Sequence, residues 1–141
     1  DSQEEADNKI NALLAASANE IDGMVSTAYV PSVVAATALR NLGDKRIKMV
    51  GIDDDPIVLD AIRDGFLVGT MAQNPYGQAY VAAYALDQLR HNCQMNEDAP
   101  FLIDSGTFLI DNDTVDTYSD NLKEITDGIQ SNFLANYMTC G

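Results

Sequence analysis

The sequence predicts an α/β fold, a three-layer Rossmann-like parallel sheet with helices on both faces, plus an extended C-terminal crossing strand and a helical tail. Three observations carry this reading. Gly23–Thr27, Ile47–Asp53 and Leu67–Gln73 are strand-like runs, and each ends in a polar loop. The loops read Thr27-Ala28-Tyr29, Asp53-Asp54-Asp55 and Gln73-Asn74-Pro75-Tyr76. A helix-like stretch follows each. Repeated strand–loop–helix order implies parallel strands, because parallel neighbours need long crossovers. Right-handed crossovers bring the three loops to one edge of the sheet, where ligands bind beyond the carboxyl ends of the strands.

The elements follow in order. Ser2-Gln3-Glu4-Glu5 has capping-box spacing and opens a helix that carries Ile10, Leu13 and Leu14 and ends near Ala18. Asn19-Glu20-Ile21-Asp22 turns into the first strand. Pro31 suits the first turn of a second helix, with Val34, Ala38 and Leu42 on one face and Gly43-Asp44 as its end. Ile47–Asp53 reads as a strand buried on both faces. Pro56 opens the third helix and Gly65 stops it. After the third strand, a helix from Gly77 to His91 is rich in Ala, Tyr and Leu, and Asn92–Pro100 is a polar connection. Phe101–Ile110 reads as one long extended run, with Gly106 as a bend or bulge between two halves serving different sheets. Asp111-Asn112-Asp113 begins like a calcium loop, but Asp116 stands where glycine is needed and Leu122 where the bidentate Glu belongs, so a capped turn is expected. Leu122, Ile125, Ile129, Phe133 and Tyr137 then recur at helical intervals.

Composition narrows the partners. The chain has 141 residues and is 46% hydrophobic, enough for a folded core. Its formal net charge is −14, with only 8 Lys+Arg. Nucleic acid and anionic membranes call for clustered positive charge, so neither is expected as a partner. A neutral or cationic ligand fits better than a phosphate. No apolar run approaches the ~20 residues of a membrane span. The first residue is Asp1, so the chain reads as a mature product or an excised part of a longer protein. Cys93 and Cys140 form no zinc pattern. They fit one disulfide in an oxidising compartment and fit two separate thiols equally well.

Several motifs together carry a family likeness. Val50-Gly51-Ile52-Asp53, Ala61-Ile62-Arg63-Asp64-Gly65 and Ala72-Gln73-Asn74-Pro75-Tyr76-Gly77 resemble type I periplasmic sugar-binding proteins of the ribose/galactose class. Ile103-Asp104-Ser105-Gly106-Thr107 with Asp111–Asp116 resembles the return crossing near that family's C-terminus. The likeness runs from Asp1 to Tyr118. It implies two lobes joined by a hinge, with ligand held between them. Residues 1–100 then correspond to a C-terminal-lobe domain lacking its first strands, residues 101–118 to the crossing or hinge segment, and residues 119–141 to a helical tail.

The resemblance implies a non-enzymatic function, namely binding of a small carbohydrate as the solute-binding component of an ABC sugar importer. The expected partners are a monosaccharide or polyol, an ABC permease and an N-terminal lobe outside this sequence. An unpaired sheet edge would allow self-association. The expected location is periplasmic or extracellular, with a lipoprotein anchor allowed, and no cofactor is implied. The alternative is the effector-binding module of a sugar-responsive transcription regulator or sensor, which shares the fold.

Asp53 matches a family position whose carboxylate accepts from sugar hydroxyls, and Gln73 one that hydrogen-bonds ligand near the hinge. Where the family commonly has asparagine–aspartate after the first of these strands, this chain has Ala28-Tyr29, which implies a different selectivity. Planar polar side chains suit paired hydroxyls, and aromatic faces suit the C–H face of a sugar ring. The expected ligand-binding residues are therefore Asp53, Gln73, Tyr29, Asn74 and Tyr76. Each also has a plainer role: a helix cap for Asp53, with Asp54 and Asp55 standing nearer that role, a strand end for Gln73, packing for the tyrosines and a turn for Asn74. Asp53-Asp54-Asp55-Pro56 is also similar to the acidic pocket of receiver domains, but no lysine–proline pair follows a later strand. His91, the only histidine, sits near a helix C-terminus, where a dipole contact explains it.

Overall fold

A computed structural model describes residues 2–141. Ser2 caps the first helix, α1 (Gln3–Ser17), its Oγ accepting from the Glu5 N–H at 3.3 Å. A short 3-10 turn, Ala18–Glu20, leads to strand β1 (Gly23–Val25). Helix α2 (Tyr29–Leu42) ends on Gly43, whose left-handed φ of 71° lets its N–H reach the Leu39 carbonyl at 3.0 Å. Strand β2 (Lys48–Ile52) leads to α3 (Pro56–Arg63), capped by Asp55 with proline in its first turn. Gly65 and Phe66 close α3 by donating to the Ile62 and Ala61 carbonyls, a Schellman ending. Strand β3 (Leu67–Ala72) precedes α4 (Pro75–Arg90), which starts two residues before the expected Gly77.

Beyond α4 come β4 (Cys93–Met95), β5 (Phe108–Asp111), α5 (Tyr118–Tyr137) and β6 (Met138–Cys140). The larger sheet has the order β1-β2-β3-β5, with β1, β2 and β3 mutually parallel. The smaller sheet pairs β4 with β6 antiparallel. The architecture is thus the expected α/β one, a parallel-dominated sheet flanked by helices.

The chain forms two compact units. One runs up to Ala72 and includes Leu109–Asp116; the other holds Gln73–Phe108 and Thr117–Gly141. In the first unit, α2 and α3 lie on the sheet, and α1 packs on α2. Val34, Leu39, Met49, Val58, Ile62 and Ile110 are buried there. The opposite sheet face is more open: Val25, Val68 and Leu109 are 77%, 53% and 48% exposed. The expectation that β2 is buried on both faces is therefore corrected. Met49 and Gly51 are buried while Val50 and Ile52 are only half-buried, the alternation of a strand covered fully on one side.

In the second unit, α5 packs on α4 around Val81, Cys93, Phe133 and Met138. Tyr84 and Tyr137 meet the Phe133 ring edge-on, at 6.0 and 5.2 Å between centroids. Two expectations are corrected here. The 92–100 connection contains strand β4; its Cys93 is joined to Cys140 by a disulfide, one of the two states the sequence left open. The run from Phe101 is not one long extended element: only Phe108–Asp111 forms a strand, and Phe101 and Leu102 stand in the open. Gly106 does mark a break, with φ of 90°.

Candidate functional site

The site on the first unit grows from the carboxyl ends of two parallel neighbours, β1 and β2. Tyr29 opens α2 directly after the β1–α2 loop, and the β2–α3 loop carries Asp53-Asp54-Asp55. A buried hydroxyl ties these loops together. Ser32 Oγ, on the first turn of α2, donates to the Ala28 carbonyl at 2.8 Å and accepts from the Ile52 N–H at 2.9 Å. Ser26 continues the link, its N–H donating to the Val50 carbonyl and its Oγ to the Ala28 carbonyl.

Gly51 lies under this contact. A Cβ there would come within 3.3 Å of both Ser32 Oγ and Thr70 Oγ1, tighter than ordinary contact, so glycine suits the close approach of α2 to β2. Asp53 itself is left-handed, with φ of 70°. Two contacts hold that conformation: its N–H donates to the Met71 carbonyl at 2.9 Å, and its carbonyl accepts from Thr70 Oγ1 at 2.7 Å. A non-glycine residue in this region is costly unless its surroundings impose it, and such residues cluster at ligand sites.

Tyr29 is about half exposed, and its hydroxyl donates to Asp55 Oδ2 at 2.5 Å. Asp55 Oδ1 accepts from the Ile57 N–H, so Asp55 both caps α3 and fixes the phenol. The hydrogen bond to Asp55, its negative charge and the charges of Asp53 and Asp54 hold the Tyr29 phenol above the usual tyrosine range. The hydroxyl is committed to Asp55, while the ring remains a surface.

The other three expected residues belong to the second unit. Gln73 follows β3 directly; its side chain is exposed and its carbonyl accepts from Gln78 Nε2 at 2.8 Å. Asn74 is buried and left-handed, and its carboxamide is fully used. Its Oδ1 accepts from the Gly77 N–H, capping α4, while Nδ2 donates to the Ser105 carbonyl at 2.7 Å and to Thr126 Oγ1 at 3.0 Å. Its turn role holds, and its side chain organises the unit from within. Tyr76 is exposed and stacks on Tyr80 with ring centroids 5.7 Å apart. A cleft of about 400 Å³ in this unit, lined by Val81, Ala85, Ile103, Asp104 and Phe133 among others, contains none of the five.

Tyr29 and Asp53 therefore share one unit, and Gln73, Asn74 and Tyr76 share the other. Sequence reasoning missed Ser32 and Thr70 as supports of the first loops, and missed Asp55 as the partner of Tyr29. The signal for Thr70 is a polar residue inside an otherwise apolar strand. The Asp111 turn is a capped turn as expected: its Oδ1 accepts from the Thr114 hydroxyl and the Asp113 and Thr114 N–H groups, holding the carboxyl below its ordinary range.

The sequence profile of the periplasmic binding protein domain family matches residues 1–92. The chain belongs to that family. Solved structures agree at the level of fold. A sugar-binding protein of a sugar ABC transporter from Bacillus halodurans is 21% identical, with a TM-score of 0.70 over 83% of this chain and 42% of its own. A solute-binding protein from Agrobacterium vitis with bound D-fucose is 20% identical, with a TM-score of 0.70 over 86% of this chain and 40% of its own. The arabinose-binding protein AraP from Geobacillus stearothermophilus is 22% identical, with a TM-score of 0.66 over 79% and 40%. The chain thus spans about two-fifths of the length of these proteins. No helix among the described residues is long and apolar enough to cross a membrane.

Proposed function

We propose that this chain is part of a solute-binding protein of an ABC sugar importer and that its loops after β1 and β2 hold a small carbohydrate. The observation that carries this reading is Asp53, held left-handed by Thr70 and Met71 at the carboxyl edge of the parallel sheet. Its carboxylate accepts from sugar hydroxyls, and the Tyr29 ring covers a C–H face. On the second unit, Gln73 and Tyr76 are exposed and Asn74 caps the helix that carries Tyr76. The D-fucose bound to the Agrobacterium protein and the naming of AraP for arabinose support a monosaccharide or polyol as ligand.

The chain passes between its two units after Ala72, after Phe108 and after Asp116. Residues 101–118 are taken in this reading as the crossing toward a lobe outside this sequence. In this mechanism a ligand bound to one lobe recruits the other, and the closed form docks on a permease. Catalysis plays no part. The family's description and the Cys93–Cys140 disulfide support a periplasmic or extracellular location. Titration calorimetry of the full-length protein against monosaccharides and polyols tests the reading. Binding of at least one is expected, and no binding to any would contradict it.

A further inference from the structure

We propose that Cys93–Cys140 is a thiol-accessible latch that decides whether the C-terminal strand stays paired, a role independent of the carbohydrate reading. The strands it joins are minimal. β4 and β6 have three residues each, in register Cys93↔Cys140, Gln94↔Thr139 and Met95↔Met138. Isolated two-stranded ribbons are marginal in water. Only Cys93 and Met138 of the six residues are buried, so little apolar surface holds the ribbon on. Two further hydrogen bonds assist, from the Asn96 N–H to the Tyr137 carbonyl at 2.9 Å and from Thr139 Oγ1 to Asn96 Oδ1 at 2.8 Å. The second of these is exposed, where water competes. The covalent bond, spanning 47 residues of chain, is the strongest constraint on this end of the unit.

The latch has an accessible side and a protected side. Cys140 is exposed, whereas Cys93 is buried against Val81, Phe133 and Met138. A dithiol reductant therefore attacks at Cys140. Its thiolate forms a mixed disulfide with Cys140 Sγ as the S–S bond breaks and Cys93 leaves as a thiolate, which takes up a proton from water. The reductant's second thiolate then displaces Cys140, also as a thiolate, and the reductant closes to its own cyclic disulfide. Gln88 Oε1, 3.9 Å from Cys93 Sγ, offers the new thiol a weak acceptor.

Release should be graded along α5. Its N-terminal half is anchored separately, because Thr126 accepts from Asn74 and donates to the Leu122 carbonyl. Its C-terminal end depends on Phe133 and Met138 remaining in the cluster with Cys93. Opening the bond therefore frees residues 133–141 and 93–96 and leaves the start of the helix in place.

Hydrogen–deuterium exchange on the whole chain tests this in three states: oxidised, reduced with dithiothreitol, and Cys140→Ser without reductant. The reduced and variant chains should exchange about tenfold faster or more over 133–141 and 93–96. Exchange over 118–126 and 48–72 should not change. Unchanged exchange over 133–141 would overturn the proposal. So would a chain-wide loss of protection, or a mass after alkylation showing two free thiols in the chain before any reductant is added.

Discussion

At the scale of single residues, Tyr29 and Asp55 give the sharpest chemical signature. The phenol donates to a carboxylate, and two neighbouring carboxylates oppose its ionisation. Its folded-state pKa is raised, so the stabilisation from this bond is complete below the unfolded value of about 10 and is lost as pH rises through the higher folded value. Absorbance titration of the protein minus that of Tyr29→Phe isolates this group. A midpoint above 10 is expected, and one at or below 10 would show that the bond does not form in solution. Asp55 was legible as a cap because it precedes Pro56 and the helix it opens. Its second partner was not, because Tyr29 lies 26 residues earlier and no local pattern links them. Asp53 could be singled out by motif, but its left-handed backbone is imposed by Thr70 and Met71 on a neighbouring strand.

At the scale of elements, Asn74 marks how far local reading reaches. A residue before proline at a strand end reads as a turn, and it is one. The direction of its carboxamide depends on Ser105 and Thr126, which are 31 and 52 residues away. Asn74→Ala should remove the α4 cap and leave the buried Thr126 hydroxyl and the part-buried Ser105 carbonyl short of a donor, lowering stability by about 1–3 kcal/mol. Urea denaturation measures this, and an unchanged midpoint would mean that the network contributes nothing. The long helices were visible because caps and apolar periodicity agree over many residues. β4 and β6 were not, because three polar or mixed residues carry no period and exist as strands only through each other and their disulfide. Phe101 and Leu102 looked like strand residues by composition, yet strand structure requires a partner and begins only at Phe108.

At the scale of the whole molecule, the sheet has β1 at one end of its order and an open apolar face carrying Val25, Val68 and Leu109. Such an edge is a template for pairing with another chain. The 141-residue chain should therefore self-associate in sedimentation experiments. With a net charge of −14, repulsion opposes contact, so association should strengthen as salt rises. Val25→Lys should weaken it, and a monomer at every concentration and salt level would contradict the role given to this edge. The parallel order of the sheet was legible from strand–loop–helix repetition. The openness of its second face was not, since a strand with apolar residues on both sides reads as doubly covered.

The central claim is that Asp53 holds a sugar at the carboxyl edge of this sheet. Calorimetric titration of the full-length protein and its Asp53→Ala variant with the same monosaccharides addresses it directly. The expected result is binding of at least one sugar by the parent protein and affinity at least about tenfold weaker in the variant, the loss of one charge-assisted hydrogen bond. Equal affinity in the two proteins, or no heat with any sugar, would contradict it.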